Sequence, residues 1–222
     1  MKKSVFYILL FFSLTQCSDT SIGDDINLLK NSTECFPYTT DKYIYPIQFG
    51  SEEWMALTDE EKENYSQLPQ EVLTSISTCG LIQSLLDKPA LYLDYMASSN
   101  TSPVVTAERF VFSHHNSIPE FDKRKDRVEA LMSFYELSDC ECIHDIGFAT
   151  QLVVLETLFT RKSINDALNA TQKKKIVSLL LDKYGQETST GFSCIGATTA
   201  MTVIMYRDDY APIVSYFNNS EP

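Results

Sequence analysis

The sequence predicts an all-α protein, a compact multi-helix bundle or irregular helical repeat array of about nine or ten short helices. Three observations point there. Helix start and stop signals recur at short intervals, the apolar residues between them fall at helical spacing, and no run alternates apolar and polar residues as a half-buried strand does. The 222 residues include only 7 Gly and 8 Pro, and 44% are hydrophobic, so the chain is ordered and long enough for one good core.

From the amino end, Met1 to Gln16 reads as Lys2-Lys3, then the apolar run Val5 to Leu14, then Thr15-Gln16 before Cys17. A basic start and a short apolar centre are the parts of an export signal, too short to span a membrane as a mature helix. Leu14-Thr15-Gln16-Cys17 resembles the lipobox of bacterial lipoproteins, departing from it in having Gln16 where a small residue is usual. The resemblance covers the first 17 residues and implies a signal peptide at 1–16, cleavage before Cys17 and a diacylglycerol group on its sulfur. The alternative is an ordinary secretory signal cut nearby, leaving Cys17 as a thiol or in a disulfide. Residues 17–34 are polar and acidic with little periodicity, which predicts a flexible tether. Ser18 after the cysteine resembles lipoproteins sorted to an outer membrane, and Asp19, Asp24 and Asp25 are similar to signals for surface display.

Residues 35–222 are expected to form a single helical domain. Cys35 to Gly50 is rich in aromatics and carries Pro37 and Pro46, so it reads as an extended segment laid over the helices and a poor central strand. Ser51-Glu52-Glu53 and Thr58-Asp59-Glu60-Glu61 each look like an N-cap followed by first-turn acids, with Thr58 and Glu61 at capping-box spacing. Trp54, the only tryptophan, is expected to be a buried anchor.

The densest stretch is Leu68 to Tyr95. Pro69 suits a first helical turn, and Val72, Leu73 and Ile76 follow at helical spacing. Ser77-Thr78 offers the next N-cap, and Leu81, Ile82, Leu85 and Leu86 form one apolar stripe before Pro89 ends the helix. Leu91 to Met96 starts another at once. The pattern Glu53-Trp54-x-x-Leu57, Pro69-x-x-x-Leu73 and Ser77-Thr78-x-x-Leu81 through Pro89 resembles a group of exported bacterial helical proteins. That likeness covers roughly residues 50–137 and implies a helical fold without implying an activity.

Further on, Pro103 to His115 is predicted helical with Val104, Ala107 and Val111 on one face. A helix restarts at Asn116 to Pro119, and Asp126 to Leu137 turns Val128, Leu131, Met132 and Tyr135 inward. Lys123, Arg124, Lys125 and Arg127 among Asp122, Asp126 and Glu129 read as a solvated, salt-bridged face. Ile143 to Phe159 is the expected central helix of the second half. Thr171 is the expected cap of the next helix, with Ile176, Val177, Leu180, Leu181 and Tyr184 inward and Gly185 as its stop. A loop at Gly191 to Gly196 then precedes a last helix, Ala197 to Tyr206.

Candidate chemistry is sparse. Cys140, Cys142 and His144 are the densest set of metal-ligand types, suited to zinc or copper, but lack a second ligand pair at structural-site spacing. Excluding Cys17, the cysteines Cys35, Cys79, Cys140, Cys142 and Cys194 allow one or two disulfides with one thiol left over, in an exported chain. Gly191-Phe192-Ser193-Cys194-Ile195-Gly196 fails as a nucleophile elbow, because Ile195 stands where that motif needs Gly. A dyad of Cys194 with His114, His115 or His144 is open to the sequence, and nothing local supports it. His114-His115 lies at a helix end where cationic imidazoles would favour the dipole, the two rings facing apart. Glu60/Glu61 and Asp208/Asp209 look like caps and surface acids.

The formal charge is −12; without Lys2 and Lys3 the 18 basic residues become 16 against 30 acidic, giving −14. Such a balance opposes nucleic-acid binding and suits a basic protein partner. The sequence therefore predicts a non-catalytic, lipid-anchored envelope protein on the membrane through Cys17, with no cofactor and no catalytic residues. One concrete form is a small acidic neutraliser of a basic partner such as a toxin. The alternatives are a metal- or thiol-dependent protein using Cys140, Cys142 and His144, and a structural part of an envelope assembly.

Overall fold

The computed structural model describes residues 39, 41–96, 106–138 and 146–190. Among these residues it contains ten α-helices, one π-helical segment and no strand. The protein is all-α. The helices are α1 (Glu52–Ala56), α2 (Asp59–Tyr65), α3 (Gln70–Ser75), α4 (Thr78–Leu86) and α5 (Leu91–Met96), followed by the π-helical Ala107–Phe112. Then come α6 (Ser117–Phe121), α7 (Arg127–Leu137), α8 (Ile146–Leu158), α9 (Lys162–Asn165) and α10 (Ala170–Thr190).

Side-chain caps start three of the first four helices, α1, α2 and α4. The Ser51 hydroxyl accepts from Trp54 N at the start of α1. Thr58 and Glu61 form a complete capping box on α2. Ser77 Oγ accepts from Gly80 N at 2.9 Å to begin α4. Each such cap satisfies amide groups that have no partner inside the helix. Helix α4 stops at Leu86, and Ala90 takes φ +62° so that the chain turns into α5.

All nine residues of α4 are buried, and it packs against α6, α7 and α8, while α8 also packs against α5. Two apolar clusters meet on it. Leu81 faces a small one with Tyr45, Leu68, Leu73 and Ile76, whereas Ile82, Leu85 and Leu86 face a large one running from Cys79 to Leu180. A helix buried all round belongs in an interior, its polar Ser84 tied to Tyr43, and α4 is the axis of this one.

Several sequence expectations need correction. The cap of α10 is Asn169, not Thr171: its Oδ1 accepts from Thr171 N and Gln172 N at 3.0 and 2.9 Å, while Gln172 Oε1 accepts from Asn169 N at 3.0 Å. Gly185 does not stop that helix, which continues to Thr190. The segment after Thr106 is wider than an α-helix, with Ser113 N bonding Glu108 O five residues back; this geometry turns Ala107 and Phe112 to the same buried side. Lys123 and Lys125 are exposed as expected, but Arg124 and Arg127 are half-buried and hold main chain: Arg124 donates to Leu73 O at 2.7 Å, and Arg127 donates twice to Ser163 O. The expected loop at 191–196 and last helix at 197–206 lie outside the described residues.

Candidate functional site

The strap before α1 lies along α4. Asp41 accepts from Ser77 N and Oγ at one end of the helix, and Lys42 pairs with Asp87 at 2.9 Å at the other. Tyr43 N donates to Ser84 Oγ at 2.8 Å, and the Ser84 hydroxyl in turn donates to Gly80 O at 2.6 Å. Gly80 is glycine for a steric reason. A Cβ there would sit 2.6 Å from Ile76 Cγ1 and 2.7 Å from Asp41 Oδ1.

Tyr45 carries the strap into the interior. Its hydroxyl donates to Ser84 O at 2.9 Å and lies 3.0 Å from His115 Nε2. A phenol has one proton, so the bonds close if His115 carries its own proton on Nε2 and donates to Tyr45. Nδ1 then accepts from Ser117 Oγ at 2.6 Å. Burial, assisted by the positive charge of Lys88 and opposed by a backbone hydrogen bond at Ser66, lowers His115 to about 3. The imidazole is therefore neutral, and the expectation of a cationic His115 at a helix end is overturned. Burial also pushes the Tyr45 phenol up, with the Asp87 charge adding to it. Lys88 itself is buried and ion-paired with Asp94 of α5. His114, facing the other way, is exposed near Glu63.

Ser117 and His115 form a hydroxyl–imidazole pair of the kind used in nucleophilic catalysis, but they are 1% and 2% exposed. In this arrangement the pair joins strap, α4 and α6 and meets no solvent. The sequence hid it, because a His two residues before a Ser has no meaning until Tyr45 arrives from 70 positions away.

Two other polar centres tie the fold. Arg161 bridges Glu108 at 2.8 Å and Asp122 at 2.7 Å and stacks over the Phe112 ring at 5.2 Å. Burial works against the Asp122 charge, but hydrogen bonds from Arg161 and Ser163 and the charges of Arg161 and Arg127 prevail and hold its carboxyl below the usual range. In the core, Tyr135 donates to the buried Glu156 at 2.8 Å, and Lys183 lies over the Tyr135 ring while donating to Ser138 O. Glu156 was legible in principle as the single acid in the apolar run of α8.

Cys79 is disulfide-bonded. It is the only cysteine among the described residues, so its partner is one of the others. Cys17, the metal candidates Cys140, Cys142 and His144, the thiol Cys194 and the Asp208/Asp209 pair lie outside the described residues. Among the described residues no group of three or more His, Cys, Asp or Glu could hold a metal ion. Glu61 serves the α2 cap, as the sequence suggested.

These residues define an all-α protein whose strap is keyed into its central helix through a buried tyrosine and a neutral histidine. No protein family, curated protein or solved structure matches the chain.

Proposed function

We propose that this is an exported, lipid-anchored protein of the bacterial cell envelope that acts by binding, held at the outer membrane by Cys17 and a tether over 17–34. The observation that carries the reading is the disulfide at Cys79, since structural disulfides belong to oxidising compartments. The lipobox resemblance at Leu14–Cys17 adds the anchor, and an excess of 30 acidic over 18 basic residues favours a basic protein partner. The serine, histidine and tyrosine of the buried polar cluster are engaged in holding the fold, which also favours binding over turnover.

The test is mass spectrometry of the amino-terminal peptide from protein extracted out of its own envelope. A diacylglyceryl-modified Cys17 as the first residue, with Cys17→Ala released into the soluble fraction, is the expected result. An unmodified chain still beginning at Met1 overturns the reading.

A further inference from the structure

We propose that the outer face of α1, α2 and the turn before them docks a basic amphipathic segment of a partner protein. The proposal rests on the binding role proposed above and adds where the partner sits and what it carries.

The two helices bury almost nothing. Of their residues only Trp54 is buried, and α2 buries none. Four of the six exposed large apolar residues among those described fall between positions 44 and 65: Ile44 at 74%, Phe49 at 51%, Met55 at 71% and Tyr65 at 42%. The Phe49 ring meets the Trp54 ring edge-on at 6.1 Å, so the exposed Phe49 lies against the one buried anchor, and Met55 follows that anchor in α1. A helix that faces solvent all round gains no stability from apolar side chains left in water.

Charge specifies the occupant. Glu52, Glu53, Asp59, Glu60, Glu61 and Glu63 stand against one base, Lys62, which pairs with Asp59. Glu52, Glu53 and Glu60 have no ion pair among the described residues. Apolar side chains set among unneutralised acids complement a segment with apolar residues on one side and Lys or Arg around them. The acids steer the approach, and Met55 and Ile44 supply desolvated contact. The same acids repel an anionic lipid surface.

Trp54 makes the surface testable in the full chain, because it is the only tryptophan, is buried within α1 and touches the exposed Phe49. The probe is an amphipathic helical peptide built only of leucine and lysine. We expect a saturable change in Trp54 emission that weakens with salt. Affinity should fall about tenfold or more in Ile44→Ser/Met55→Ser and in Glu52→Gln/Glu53→Gln/Glu60→Gln, each checked for unchanged helicity. The control Glu129→Gln/Asp166→Asn/Asp182→Asn, with the same loss of charge, should bind as the parent does. No emission change, an unaltered affinity in Ile44→Ser/Met55→Ser, or equal weakening by the control each overturns the docking surface. So does tight binding of the unlipidated Cys17→Ala chain to phosphatidylglycerol vesicles, which would assign the face to a membrane. None of these results touches the lipid on Cys17, which the amino-terminal peptide decides separately.

Discussion

The Tyr45 hydroxyl stands 3.0 Å from His115 Nε2, joining the strap to the start of α6 across the end of α4. Removing that oxygen leaves the buried His115 Nε2 and the Ser84 carbonyl each short of a partner. Tyr45→Phe should therefore cost about 1–3 kcal/mol, the penalty for an unsatisfied buried polar group, while the ring keeps its packing. Urea unfolding followed by circular dichroism gives the value, and an unchanged midpoint would count against the latch.

The neutral His115 gives stability a pH dependence of known sign. Its pKa is about 3 when folded, against an ordinary 6.5, so the unfolded chain takes up the proton first. The contribution is complete above pH 6.5 and is lost as pH falls towards 3, at a limiting slope of about 1.4 kcal/mol per pH unit. Tyr45 faces the ring with its phenol pushed up by burial, and carboxylates in general enter only near the acid end of this window. Between pH 6.5 and 5 the parent should lose stability while His115→Asn does not.

Gly80→Ala tests the close approach of strap and helix. Alanine normally favours a helix over glycine by about 1 kcal/mol. Here its methyl would press on Ile76 Cγ1 and the Asp41 carboxylate, so a net loss of roughly 1–3 kcal/mol is expected. In Asp41→Ala/Gly80→Ala one of the two obstacles is gone, and the combined loss should be smaller than the sum of the single losses. Strict additivity by chemical denaturation would show that Asp41 is not the obstacle.

Arg161→Lys should destabilise by about 1–2 kcal/mol, because an ammonium cannot hold Glu108 and Asp122 in one fork or stack flat on Phe112. Differential scanning calorimetry should show a lower midpoint. A parent-like midpoint would mean the three segments meet without it.

Ala90→Gly should raise stability by roughly 0.5–1 kcal/mol. A φ of +62° strains an L-residue by more than the chain entropy glycine adds. A lowered thermal midpoint would show that the methyl group contributes packing of greater value than that strain.

The helices could be read from the sequence because their signals are local. Ser51, Thr58 and Ser77 each bond an amide three residues on, and the stripe Leu81, Ile82, Leu85 and Leu86 lies within a turn and a half. The site was far less legible. Neither His115 nor Glu156 announces its partner, since Tyr45 and Tyr135 reach them from 70 and 21 positions away.

By itself, then, the sequence determined the helical class, the caps at Ser51, Thr58 and Ser77 and the apolar stripe Leu81 to Leu86, all matters of short-range hydrogen bonding and apolar spacing. Tertiary structure alone decided the polar assignments. It made His115 neutral, set Arg124 and Arg127 to holding carbonyls, and carried α10 through Gly185. The physical reason is desolvation. The ionisation of an imidazole and the solvation of a guanidinium are set in water, and burial beside distant partners shifts that balance by more than any local signal along the chain.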